Sequence, residues 1–295
     1  MKIYLDCIPC FLRQALDAAK LATDDQEIHE NVMREVLRSV ADLDMRQSPP
    51  EIGQQIHRRI RNLLGAYDPY HRVKGRFNDL ALELYSKYRK QVIESEDPLK
   101  TAICLAIASN IIDLGVKSSV DESDLHRVIS ESVMADIDTE QLESFRDAIG
   151  KAEKILYLAD NAGEIVFDHL LIEQLPYEKV TAVVKGKPVI NDATKEDAWI
   201  IGLDRIVDVI DNGSDAPGTI LKSCSQKFQS CFEQADLIIA KGQGNYESLS
   251  DIDKNIIFLL KAKCPVIARD LGCEVGDMIL QKSKSFKRGK EYASV

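Results

Sequence analysis

From residue 151 onward, short apolar runs alternate with stretches of helical periodicity, and that alternation admits few architectures. The runs are Ile155-Leu156-Tyr157-Leu158, Val180-Thr181-Ala182-Val183-Val184, Arg205 to Ile210, Ala235 to Ala240, and Pro265-Val266-Ile267-Ala268. The first, fully apolar, reads as a parallel strand buried on both faces. Five strands joined by helical crossovers predict a parallel, doubly wound sheet. In such a sheet, ligands bind outside the carboxyl ends of the strands. Each run should therefore deliver its following residues to one shared edge.

Residues 1–150 show no such alternation. Phe11, Leu12, Ala15, Leu16 and Ala19 recur at helical spacing, as do Val32, Val36, Leu37, Val40 and Leu43. Ser48-Pro49-Pro50-Glu51 reads as a helix start and Gly65 as its end. Pro98 to Ile112 is apolar nearly all round and should be central, with Asn110 and Asp113 needing partners or capping its end before Gly115. Residues 122–150 predict further amphipathic helices. The chain thus divides into an all-helical N-terminal domain, 1–150, and an α/β domain, 151–295. The polar, Lys-rich tail from Gln281 reads as frayed.

Composition narrows the function. The 295 residues carry 38 Lys+Arg against 48 Asp+Glu, a net charge of −10, which argues against a nucleic-acid partner or an anionic membrane surface. No stretch approaches the roughly 18 apolar residues of a membrane span, and no signal peptide opens the chain, so a cytoplasmic location is expected. Seven scattered cysteines do not form a disulfide framework. Cys7-Ile8-Pro9-Cys10 is a lone C-x-x-C. It holds a second metal or a redox pair, or it is a helix start with two small thiols. The oligomeric state is not legible.

The polar residues behind the strands are distinctive. The first strand leads to Asp160-Asn161-Ala162-Gly163-Glu164, the second to Lys185-Gly186 and on to Asn191-Asp192-Ala193-Thr194. The third ends in Asp211-Asn212-Gly213, the fourth in Lys241-Gly242-Gln243-Gly244-Asn245, the fifth in Arg269-Asp270. Carboxylates and amides dominate, and such oxygen donors suit a hard divalent cation better than a structural zinc. Asp160, Asn161 and Asp192 are the candidate ligands. Lys241, between a strand and two glycines, and Lys185 are candidate anion contacts. Each cluster also has a plain alternative. Asp160-Asn161 makes a turn; Asn191 or Asp192 caps a helix with Glu196 in its first turn; Glu164 is a first-turn carboxylate. Tyr70, Lys74 and Asn78 share one helix face, either solvated or substrate-facing.

Taken together, Asp160-Asn161-Ala162-Gly163-Glu164, Asn191-Asp192-Ala193-Thr194 and Lys241-Gly242-Gln243-Gly244-Asn245 resemble the signature of the metal-dependent damage-control phosphatases, the former domain-of-unknown-function eighty-nine. Asp6-Cys7-Ile8-Pro9-Cys10 resembles the N-terminal motif of the prokaryotic, CxxC-containing branch, and Asp68-Pro69-Tyr70, Lys74, Asn78 and Asn110-Ile111-Ile112-Asp113 fit the same pattern. Ser109 departs from it, standing where the family pattern has glycine. The resemblance implies a Rossmann-like three-layer α/β/α unit behind a helical region. It implies a cation (Mg, Mn, Co or Ni) held by Asp160, Asn161 and Asp192, with Lys241, Gly242 and Gly244 at the substrate phosphate. Asn110 and Asp113 would border the pocket; Lys185, Lys74 and Asn78 are further candidate substrate contacts read from the residues themselves.

The expectation is a phosphatase that hydrolyses phosphate monoesters of small metabolites, sugar phosphates or damaged phosphometabolites, by metal-activated water. Asp160, Glu164 and Lys241 are its candidate catalytic residues. The alternatives are an S-adenosylmethionine-dependent carboxyl methyltransferase and a non-catalytic metal-binding protein built on Cys7 and Cys10. No glycine-rich loop follows the first strand, which weighs against the methyltransferase.

Overall fold

The computed structural model describes residues 1–111 and 137–284. Three amphipathic helices open the chain: α1 (Cys7–Ala22), α2 (Gln26–Ala41) and α3 (Pro49–Leu64). Their apolar stripes meet in a small core of Phe11, Ala15, Val32, Val36, Ile52, Ile56 and Ile60. The sequence explains the start and stop of α3. Ser48 and Glu51 cap each other's backbone amides, and Gly65 leaves the helix in the left-handed region.

Two further helices, α4 (His71–Glu94) and α5 (Pro98–Ala108), lead to a short 3₁₀ turn, Ser109–Ile111. Every side chain of α5 from Ala102 to Ala108 is buried, as its all-round apolarity predicts. After α6 (Thr139–Lys151) the alternating half begins: β1 (Ile155–Leu158), α7 (Glu164–Ile172), β2 (Val180–Val184), α8 (Lys195–Ile200) and β3 (Asp208–Asp211). Then follow α9 (Gln226–Gln234), β4 (Leu237–Lys241), α10 (Gly242–Leu249), β5 (Ile256–Lys261), α11 (Pro265–Leu271) and β6 (Met278–Lys282).

The strands form one sheet in the order β3-β2-β1-β4-β5-β6, parallel except for β6, which runs against β5. This is a doubly wound order that reverses direction beside β1. Alternate side chains enter opposite cores. Ile155 and Tyr157 pack with α4, α5 and α7, whereas Leu156 and Leu158 pack with α9, α10 and α11. The three layers are thus α/β/α, and no helix among the described residues is long and apolar enough to cross a membrane.

Two strand assignments change. Pro265-Val266-Ile267-Ala268 is not the fifth strand but the start of α11, where Pro265 occupies the first turn and Val266, Ile267 and Ala268 form a buried helix face. The fifth strand is Ile256–Lys261, an apolar run not identified in the sequence. Arg269-Asp270 therefore closes a helix and does not join the sheet edge; Asp270 instead accepts the Tyr246 hydroxyl at 2.5 Å. Gln281 and Lys282 are not frayed but belong to β6, and Ser283 N donates to Ile256 O at 2.8 Å.

Candidate active site

Two turns meet above the carboxyl ends of β1 and β2. Ala159 N donates to Val183 O at 3.0 Å, Ala193 N to Asp160 O at 2.8 Å, and Ala162 N to Asn191 O at 2.8 Å. Asn161 and Asp192 pair as an isolated antiparallel bridge. These bonds place Asp160, Asn161 and Asp192 side by side, at 9 %, 7 % and 4 % exposure. The loop before Asp192 is strained, since Ile190 holds φ at 45°, a region that β-branched residues avoid.

Amides and a lysine clamp the carboxylates. Asp160 Oδ2 accepts from Asn110 Nδ2 at 2.9 Å and from Asn161 Nδ2 at 2.8 Å. The same two amides donate to Glu164 Oε2, at 2.6 Å and 3.0 Å. Lys241, wholly buried at the end of β4, donates to Glu164 Oε1 at 2.5 Å, Asp168 Oδ1 at 2.6 Å and Ala106 O at 2.7 Å. All three ammonium protons thereby have an acceptor. Tyr157 completes the group by donating to Asp168 Oδ1 at 2.8 Å.

Burial and mutual repulsion dominate the electrostatics. Burial raises the Asp160 carboxyl far above the usual carboxylate range, and the Glu164 and Asp192 charges push it further up against the opposing pull of Lys263 and Lys185. Asp192 is raised chiefly by burial, which Lys185 opposes. Asp168 is raised by burial against Lys241, while its two carboxylate neighbours hold the Lys241 ammonium above its ordinary value despite burial. A buried group of carboxylates that discourage one another's ionisation favours an added cation.

The donor set fits a hard divalent ion. Among the described residues, Asp192 Oδ2 accepts no hydrogen bond and has only the Lys185 ammonium at 3.3 Å as an ion-pair partner. Among the described residues no three His, Cys, Asp or Glu side chains converge on one point. A cation at this edge would therefore rest on two carboxylates, one amide, and oxygens from water or substrate, the few-ligand pattern of magnesium-type sites.

The other expected site residues fall into three positions. Gly242 lies against the cluster. Its φ is +77°, and a Cβ there would stand 1.8 Å from Asp160 Oδ2, so only glycine lets the backbone come this close. Gly244 packs instead on Pro217 O, where a Cβ would stand at 3.0 Å. Lys185 borders Asp192 and donates to Gly218 O at 2.5 Å. Lys74 and Asn78 face Asp197, not open space: Lys74 Nζ lies 3.3 Å from Asp197 Oδ2, and Asn78 Nδ2 donates to Asp197 Oδ1 at 2.9 Å. Cys7 and Cys10 sit in the first turn of α1, with Glu247 and Cys264 as the foremost electrostatic neighbours of Cys7. Asp113 lies outside the described residues.

Several participants escaped the sequence reading. The cap of α8 is Thr194, not Asn191 or Asp192; Glu196 lies in the first turn as expected, and the reciprocal partner of the cap is Asp197. The Thr-x-x-Asp spacing was the available signal. Asp168 is one helical turn past Glu164 on a helix that is otherwise apolar except for His169, a position where a buried acid needs a cation. Lys263 carries no motif at all.

Comparisons with known proteins converge on one family. The family model described as the Damage-control phosphatase ARMT1-like domain matches residues 3–279. A protein named Damage-control phosphatase from Archaeoglobus fulgidus is 39 % identical, over 95 % of this chain and 98 % of its own length. Damage-control phosphatase PH1575 from Pyrococcus horikoshii is 34 % identical, over 96 % of this chain and 99 % of its own. The crystal structure of that DUF89-family protein superposes with a TM-score of 0.87 at 33 % identity, covering 96 % of this chain and 100 % of the other.

Proposed function

This chain belongs to the damage-control phosphatase ARMT1-like family, and from that premise we propose how its residues carry out phosphate hydrolysis. The enzyme is a phosphatase of small, damaged metabolites. The finer reading is a phosphate monoesterase that depends on Mg, Mn, Co or Ni, with Asp160, Asn161 and Asp192 as the protein ligands. The juxtaposition of those three side chains at the carboxyl edge of β1 and β2 carries this reading. A divalent ion bound there supplies Lewis-acid polarisation of the phosphoryl group and lowers the pKa of water.

The chain's own residues supply the rest. Glu164 is fixed from three sides by Asn110, Asn161 and Lys241, and is the group proposed to take the proton of the attacking water. Gly242, at the N-terminus of α10 and without a side chain, offers its backbone to a phosphate oxygen. Lys185 and Asn110 border the same edge and are the proposed polar contacts to substrate. Lys241 reaches substrate only by giving up one of its three acceptors. Its proposed role is the counter-charge that holds Glu164 and Asp168 in place.

The methyltransferase alternative is not favoured, because the named relatives are phosphatases and β1 leads into Asp160-Asn161 where a cofactor loop would need glycines. The seven cysteines are scattered along the chain, in keeping with the proposed cytoplasmic location. Hydrolysis of p-nitrophenyl phosphate, measured across the four metals, tests the reading. Chelator, Asp160→Ala and Asp192→Ala should each abolish turnover. Full activity in chelator or in Asp160→Ala would overturn it.

A further inference from the structure

The two turns that carry the candidate ligands come from different parts of the chain, and one helix of the N-terminal region touches both. Asn78 on α4, wholly buried, accepts from Gly163 N at 2.7 Å through its Oδ1. Gly163 lies two residues beyond Asn161 and opens α7 at a φ of +76°. A Cβ there would stand 2.9 Å from Phe77 Cβ, so α4 lies directly against this turn. Through Nδ2 the same Asn78 amide donates to Asp197 Oδ1 at 2.9 Å. The other oxygen of Asp197 accepts from Thr194 N and Thr194 Oγ1, both at 2.8 Å. Thr194 lies two residues beyond Asp192. Lys74, buried between Asp68 at 3.2 Å and Asp197 at 3.3 Å, balances the charge.

A continuous chain of short hydrogen bonds thus runs from one ligand turn to the other: Gly163 to Asn78, Asn78 to Asp197, Asp197 to Thr194. Asn78 and Asp197 are buried and Thr194 is half-buried, and the donors and acceptors of the chain are used among themselves. We propose that Asp197, with Asn78 and Lys74, is a positioning device that sets the separation between Asp160-Asn161 and Asp192, and so governs cation affinity without touching substrate. The inference rests on the reading of Asp160, Asn161 and Asp192 as cation ligands. It gives Lys74 and Asn78 a role behind the ligands in place of the substrate contacts expected from the sequence.

Residues that orient ligands in this way change metal affinity by about 10- to 100-fold when removed. The test is calorimetric titration of Mn²⁺ into the chelator-stripped full chain without substrate. It compares wild type, Asp197→Asn, Asn78→Ala and Glu173→Gln. The last weakens another tie between α4 and α7, the Arg89–Glu173 pair at 2.9 Å, remote from the ligand turns. Asp197→Asn and Asn78→Ala should raise the Mn²⁺ Kd about 10- to 100-fold, Glu173→Gln should leave it unchanged, and KM for p-nitrophenyl phosphate at saturating Mn²⁺ should hold in all. Unchanged Kd with raised KM would overturn the proposal in favour of substrate contact. Unchanged Kd with only a lowered Tm would reduce the device to ordinary packing. If Asp197→Asn does not fold, Asn78→Ala, which leaves the Thr194–Asp197 cap intact, decides. Wild type that binds no Mn²⁺ would instead sink the cation reading beneath it, an outcome distinct from equal binding by wild type and variants.

Discussion

Gly242 and Lys241 are neighbours with opposite demands: one position tolerates no side chain, and the next needs a long charged one. With a Cβ 1.8 Å from Asp160 Oδ2, Gly242→Ala must move the backbone or the carboxylate, in addition to the cost of about 1 kcal/mol for alanine in a left-handed conformation. Turnover of p-nitrophenyl phosphate should fall at least about 100-fold, as expected when a reacting group is displaced by about 1 Å. Lys241→Met leaves Glu164 and Asp168 buried without their cation, which costs about 3–5 kcal/mol at neutral pH. Adding Asp168→Asn to that variant removes one of the two unpaired charges. The urea midpoint of the double variant should therefore exceed that of Lys241→Met alone.

At the scale of elements, α3 ties the helical bundle to the segment that follows β3. Gly53 lets Pro217 approach, since a Cβ there would stand 2.9 Å from Pro217 Cγ. Gln54, Arg58 and Arg61 all donate to Asp215, and Arg61 also donates to Pro188 O at 2.9 Å, close to the strained Ile190. These partners hold the Asp215 carboxyl down at about 2 despite burial. Its contribution is therefore present above the ordinary carboxylate pKa and is lost as pH falls through about 2. Asp215→Asn should lower Tm at pH 7 and matter little at pH 2. His57 on the same helix behaves differently. Burial, aided by Arg61, depresses its imidazole to about 4 from 6.5. The unfolded chain takes up a proton below about 6.5 that the folded chain refuses, so stability declines as pH falls from there towards 4. From pH 7.5 to pH 5 this amounts to about 2 kcal/mol, and His57→Phe should remove that part of the pH dependence of urea unfolding. β6 guards the sheet's edge. A chain ending before Met278 leaves β5 with an unpaired, apolar rim and should aggregate, which light scattering would register.

Across the whole molecule, periodicity was the most legible property. β1, β2 and β4 carry apolar runs with polar ends, and the α/β class follows from them. The exchange of Pro265–Ala268 for Ile256–Lys261 arose because a short apolar run is strand or buried helix on pattern alone, and the proline at its head was the discriminating mark. The antiparallel return of β6 had no local signal. At the candidate site, the juxtaposition of Asp160, Asn161 and Asp192 was legible because strand ends converge in this fold. Asp197 was less so, because its role depends on Asn78, 119 residues away. The core also crosses the change of rhythm at residue 150. Phe77, Tyr88, Ile103 and Leu105 share one cluster with Ile155, Tyr157 and Ile239. Residues 151–295 expressed alone would expose that face of the sheet, and should yield no cooperative thermal transition by circular dichroism.

The Lys241 bonds also bear on how the protein is made. The ammonium meets its carbonyl partner, Ala106 O, across 135 residues of sequence, and its carboxylate partners across 77 and 73. During synthesis, Glu164 and Asp168 leave the ribosome well before the lysine that neutralises them. The nascent chain therefore carries an acidic, unfinished edge until β4 docks beside β1.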